Sequence, residues 1–161
     1  MSRWTGSWLS GPSAAHDPDE HATQAWPGER LGLPPEGPGS VASRGARLVA
    51  LLLDFVIAGL VTSLFVRMDI QSPEVMGHFN RWAIAVWFLI SVGAISLFGF
   101  TAGMAALGIR AVRLDGTAMI GPIRAIPRAV LTAIIIPAAI WDADGRGLHD
   151  KAAGTIVLRV R

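Results

Sequence analysis

The sequence predicts an all-α integral membrane protein with two transmembrane helices, a third short helical segment, short cytoplasmic strands and a disordered N-terminal tail. Three observations lead there. The chain has 161 residues, of which 52% are hydrophobic and only 16% charged, a bias toward membrane over globular use. Leu48 to Val66 is almost wholly apolar over about 19 residues, roughly 28 Å as a helix, against the ~30 Å hydrocarbon core of a bilayer. Trp82 to Phe100 is a second such stretch and carries no charge. Helices are therefore expected at about 46–66, 82–100 and 123–141, with 1–43 as the tail and 44–161 as one membrane domain.

Composition excludes several classes. There is no cysteine, so neither a disulfide framework nor a thiolate metal site is available. The formal net charge is +2, and the basic residues are nearly all arginines beside apolar segments. That pattern points to the lipid bilayer and its headgroups as partner, not to nucleic acid. The start, M-S-R-W-T-G-S-W-L-S-G-P, lacks an apolar core of signal-peptide length. The first apolar helix is expected to stay as an anchor.

Residues 1–43 are rich in Pro, Gly, Ser and acidic residues and hold too little apolar surface to order themselves. Trp4 and Trp8 are one helical turn apart, which offers a docking face. His16 and His21 lack metal-ligand spacing. Ser43, Arg44 and Arg47 lead into the first helix. There, Gly59 and Ser63 form a small-xxx-small pair for close helix approach, or are ordinary lipid-facing positions. Residues 67–81 read as a polar connection broken at Pro73. Trp82 and Trp87 open the second helix as an aromatic belt would. Gly93, Ser96 and Gly99 mark a packing face.

From Thr101 onward glycine punctuates the chain, and Asp115-Gly116 is a turn dipeptide. Residues 107–114 read as a strand. So do 155–161, with Ile156, Leu158 and Val160 on one side and Thr155, Arg159 and Arg161 on the other. Between them, the apolar run 129–141 is about 13 residues, or roughly 20 Å, and Pro137 interrupts it. Arg124 and Arg128 share one face. The segment is a third crossing if the arginines snorkel, or a re-entrant or interfacial helix. Pairing of 107–114 with 155–161 requires both on one side, which favours an incomplete crossing. The arginine bias places the tail and Thr101 onward in the cytoplasm.

Asp54 is the ionisable residue inside the first helix. Such a charge costs on the order of 3 kcal/mol on insertion scales. Arg47 shares its face but sits about 10 Å away along the axis, and its side chain leans away. Arg124 and Arg128 are therefore the expected partners of Asp54; otherwise it sits neutral. It either locks helix packing or serves a proton- or cation-linked site. Asp142-Ala143-Asp144-Gly145 hints at a calcium loop, but the glycine is early and the closing glutamate absent. His149 beside Asp150 has no nucleophile near it and reads as a cap or turn. No phosphate or dinucleotide motif is present. No catalytic residue, metal, cofactor or enzyme activity is expected.

Four motifs in order carry a resemblance. They are R-L-V-A-L-L-L-D from Arg47 to Asp54, G-F-T-A-G-M-A-A-L-G-I-R-A-V from Gly99 to Val112, R-A-I-P-R-A-V from Arg124 to Val130, and R-G-L-H-D-K-A-A-G-T-I-V from Arg146 to Val157. From Ser43 to its end the chain resembles the RDD family of small prokaryotic membrane proteins, named for one arginine and two aspartates. The resemblance implies Arg47, Asp54 and Asp150 as the naming residues, with His149, Gly103 and Gly108 in the surrounding motifs. The run P-G-E-R-L-G-L-P-P-E-G-P-G-S-V-A looks like that of a short actinobacterial subgroup. The family often has T-P-G-K where this chain has Thr101-Ala102-Gly103-Met104. The resemblance implies a multi-pass cytoplasmic-membrane protein with a transport-related role, expected as a homo-oligomer or beside a membrane-protein partner. The alternative is a non-transporting accessory subunit that docks a partner through its tail and loops.

Overall fold

Capping fixes where both long helices begin. In the computed structural model, which describes residues 25–117, 119–134, 142 and 144–161, helix α1 spans Arg44–Ser63. The Ser43 hydroxyl accepts from the Ala46 N–H at 3.3 Å, satisfying one of the donors a helix start leaves open. Helix α2 spans Pro73–Phe98, and the Ser72 hydroxyl accepts from the Val75 N–H at 3.4 Å. Pro73 was expected to break a connection; instead it opens the helix. At a first helical position its missing N–H has no partner to lose. Trp82 and Trp87 consequently lie inside α2 rather than at an end, and Trp87 stacks on Phe55 with ring centroids 4.8 Å apart. The helix stops at Gly99, whose φ of 76° is left-handed and whose N–H returns to the Ile95 carbonyl.

Both helices are long and apolar enough to cross a membrane. Leu52, Val56 and Leu60 keep the outward face of α1 exposed and apolar. Of the two readings of Gly59, the described residues give no close approach within the chain, since a Cβ there would meet nothing within 4 Å.

A small assembly closes the end of the hairpin where α1 begins and α2 finishes. It comprises α3 (Ala102–Ala106), β1 (Ile109–Arg113), α4 (Pro122–Ala133), α5 (Leu148–Ala153) and β2 (Thr155–Arg159). The strands pair antiparallel, with Ile109 opposite Arg159 and Arg113 opposite Thr155. Ile109, Ala111 and Val157 join Ala50, Ile95 and Met104 in the buried core. On one side of β2, Thr155 and Val157 point to the helices. Ile156 on the opposite side is just as buried.

Part of the expected disordered tail is ordered. The Ala42 N–H donates to the Val157 carbonyl at 2.9 Å, and the Arg159 N–H donates to the Ser40 carbonyl at 2.9 Å. The Trp26 indole N–H donates to the Leu33 carbonyl at 2.9 Å. Composition understated this segment because β2 supplies the hydrogen-bond partners that it lacks alone. Trp4, Trp8, His16 and His21 lie outside the described residues, as do Pro137 and Trp141.

Helix α4 is inverted relative to a helix on a water-soluble protein. Ile123 is 86% exposed, and Ile126, Val130 and the following Ile134 are exposed with it. Arg128 is 8% exposed and faces inward with Ala125 and Ala129. The two flanks of the 120–141 segment return to one end of the hairpin. The Gly121 N–H donates to the Ser96 carbonyl at 3.2 Å, and Gly145 lies against Val41 and Pro27.

Candidate functional site

Among the described residues, Asp150 and Asp54 tie α1 to the elements around it, and they are held in different ways. Asp150, in the first turn of α5, is fully buried and sits between two guanidinium groups. Arg47 Nη1 lies 2.9 Å from Asp150 Oδ2, across 103 positions of sequence. Arg128 Nη1 pairs with Asp150 Oδ1 and donates to the Thr155 hydroxyl at 2.9 Å. That hydroxyl donates to Asp150 Oδ1 at 3.2 Å. Arg47 Nη2 also donates to the Val157 carbonyl at 3.2 Å. The start of α1, the middle of α4, α5 and β2 are thus joined through one carboxylate. Burial, and then repulsion from Arg47, pull the Arg128 guanidinium down to about 9, so it remains a cation at neutral pH.

His149 lies next to this cluster. Burial first, then Arg128 and Arg47, push its imidazole down to about 3. It is neutral at physiological pH, and its 3.5 Å approach to Asp150 is not an ion pair.

Asp54, two turns further along α1 than Arg47, takes neutral partners. Its Oδ2 accepts from the Thr101 hydroxyl and its Oδ1 accepts from the Gly103 N–H at 2.8 Å. The same Thr101 hydroxyl caps α3 by accepting from the Met104 N–H at 3.3 Å. Asp54 therefore anchors the start of α3 to α1. The approach requires glycine at 103, because a Cβ there would overlap the Ala50 carbonyl oxygen. Gly108, with φ of 62°, turns the chain from α3 into β1. Its carbonyl accepts from the Val160 N–H at 2.8 Å.

The expected pairing of Asp54 with Arg124 or Arg128 is not made. Arg128 is taken by Asp150. Arg124 donates to the Ala153 carbonyl at 3.2 Å, where it caps the C-terminus of α5, and lies 3.6 Å from Asp115. Arg47 does turn away from Asp54, as the lean of helical side chains requires. The acidic run at 142–145 is occupied by Arg146, whose Nε lies 3.0 Å from Asp142 and whose Nη2 lies 3.3 Å from Asp144. Thr101 and Thr155 were not singled out by sequence. Thr101 carried a signal, because a threonine just before a short apolar run is a cap residue.

A cavity of about 360 Å³ lies between α1, α2 and α4. Arg44, Arg47, Arg128 and Asp54 line it together with Leu48, Leu51 and Trp87. Trp87 is only 3% exposed, and its indole N–H has no acceptor among the described residues. No protein-family model, curated protein or solved structure matches this chain.

Proposed function

We propose that this chain is an RDD-like integral protein of the cytoplasmic membrane with a proton- or cation-linked transport role, and that Asp54 in the cavity is its working carboxylate. One observation carries this reading. Asp54 lines the cavity and is bonded only to neutral donors, whereas Asp150 is already neutralised by two arginines. A carboxylate without a counter-ion among the described residues is the group on which a proton or cation exchanges. Protonating it keeps both hydrogen bonds available once the Thr101 hydroxyl turns to accept, so the carboxyl can change charge while α3 stays anchored. Arg44, Arg47, Arg128 and neutral His149 are the other titratable groups lining that space.

The inverted α4 supports the membrane placement. Ile123, Ile126 and Val130 facing outward are costly in water and favourable against acyl chains. The hairpin's arginine-rich end, the strands and the tail lie on the cytoplasmic side by the positive-inside rule. Gly121 beside Ser96 and Gly145 beside Val41 lie at the same end of the hairpin, which supports reading the 120–141 segment as making no net crossing. The resemblance to the RDD family adds support: its naming residues fall on the two carboxylates and on one of the arginines that hold Asp150.

The test is ion flux in proteoliposomes loaded with a pH-sensitive dye, under an imposed sodium or potassium gradient. Wild type is expected to move protons against the cation and Asp54→Asn to abolish this. Equal flux from Asp54→Asn, or no flux from wild type, overturns the reading.

A further inference from the structure

We infer that the cavity between α1, α2 and α4 is a specific site for an anionic phospholipid of the surrounding bilayer, which places one acyl chain inside and its phosphate at the arginine end. This rests on the membrane placement proposed above and not on transport.

The shape comes first. The lining runs along α1 from Arg44 to Asp54, about 15 Å at the helical rise. A volume of about 360 Å³ spread over that length leaves a slot narrower than the about 10–12 Å of a helix with its side chains. A helix from a second copy does not fit, and a single flexible chain does. The volume lies within the about 300–1,000 Å³ of small-ligand sites.

Polarity is graded along the slot. Arg44 and Arg47 occupy the first turn of α1, and Arg128 faces them from α4. Further in, the walls are Leu48, Leu51, Trp87 and Ile95, as far as the hydrogen-bonded Asp54 and Thr101 at the other end. At the arginine end Arg44, Arg47 and Arg128 outnumber the one carboxylate they surround, Asp150, which Arg47 and Arg128 share, so the lining favours a negative headgroup over a zwitterionic one. A basic pocket between spanning helices on the cytoplasmic side is where anionic headgroups bind. The unpartnered, buried indole N–H of Trp87 is a second sign that the chain does not fill this space itself. Buried donors are otherwise satisfied, and an occupant, or a water carried in with it, supplies the acceptor.

The test uses the full chain purified in mild detergent. Dioleoyl phosphatidylglycerol and dioleoyl phosphatidylcholine, which share their tails, are titrated separately. Thermal unfolding and native mass spectrometry read the result. Phosphatidylglycerol is expected to raise the melting temperature and to be retained at one per chain, with phosphatidylcholine doing neither. Arg44→Gln is expected to weaken phosphatidylglycerol binding about fivefold, the effect of losing one basic residue near a headgroup. Leu51→Trp and Ser91→Phe fill the slot from two walls and are expected to abolish retention while leaving the lipid-free melting temperature near wild type. Equal effects of the two lipids, or undiminished retention in a folded slot-filling variant, overturn the proposal. Should both fillers fail to fold, the comparison of the two lipids on wild type still decides. Binding is measured without a gradient, so a failure of the flux assay leaves it standing.

Discussion

Asp150 and Asp54 both reach α1, yet one is an ionic junction and the other a cap. Asp150 draws Arg47 and Arg128 from elements far apart in sequence. Asp54 accepts from a hydroxyl and a backbone N–H of one adjacent turn. Losing the Asp150 charge strands two buried cations. Losing the Asp54 charge strands none, because its partners are neutral and one of them is a rotatable hydroxyl. Asp150 is fully buried and Asp54 only partly so, and their partners separate them further: two cations for the one, two neutral donors for the other. On the proposed function, this contrast makes Asp54, rather than Asp150, the carboxylate that exchanges a proton.

The largest expected effect follows directly. Asp150→Asn should destabilise the protein by about 3–5 kcal/mol, the usual cost of removing one partner from a buried ionic group. Denaturant unfolding in mild detergent measures it. Combining it with Arg128→Met should cost less than the sum of the two single changes, since these residues interact directly. A loss below about 1 kcal/mol for Asp150→Asn would break the contrast, because the junction would then behave like an exposed pair.

Second in size is Gly103→Ala. The added methyl overlaps the Ala50 carbonyl oxygen, which is backbone and cannot rotate away. Overpacking of this kind costs about 1–3 kcal/mol. The same unfolding assay reads it, and Gly93→Ala serves as control, since a Cβ there meets nothing within 4 Å. Equal losses from both variants would show that helix or turn propensity, and not the α1–α3 contact, sets the cost.

Asp54→Asn should be milder, within about 1 kcal/mol of wild type. The amide oxygen still accepts from the Gly103 N–H, and the amide nitrogen donates to Thr101 once its hydroxyl turns. Asp54→Ala removes both acceptors and should cost about 1–3 kcal/mol by leaving buried donors unmet. If Asn proves as damaging as Ala, the negative charge itself holds α3, and the cap description fails.

The two regions were unequally legible in the sequence. The two long apolar helices, the strand pair and the turning away of Arg47 follow from local rules: apolar runs, alternation, and the lean of helical side chains. The ends of α2 were also available, because Ser72-Pro73 is a start signal once Pro73 is read as a first-turn residue rather than a breaker. The partner of Arg128 was not readable. Asp54 and Asp150 are both acidic and both distant in sequence, and only the return of the chain after residue 142 brings one of them to α4. Residues 25–43 were misread for the same reason. Gly39, Ser40 and Ala42 are held by hydrogen bonds to β2, which no composition window contains.

The smallest effect at neutral pH, and the one that sharpens the Asp150 region, concerns His149. Its imidazole is held at about 3, below its ordinary 6.5, by burial and by the two arginines. In the unfolded chain it takes up a proton near its ordinary value. Between about pH 6.5 and pH 3 the unfolded state therefore binds more protons than the folded one, and folding stability rises with pH across that window. The contribution is fully present above pH 6.5 and is lost as acid is added. His149→Gln removes this titration and leaves Asp150, Arg47 and Arg128 in place, so other acid-sensitive groups affect both proteins alike. The quantity to read is the slope of stability against pH, not its height, because the substitution also alters packing. Wild type should lose stability more steeply than His149→Gln from pH 6.5 downward, and the curves should run parallel above it. Parallel curves throughout would mean that His149 meets solvent and ionises in the folded state, leaving the junction around Asp150 wetter than its geometry shows.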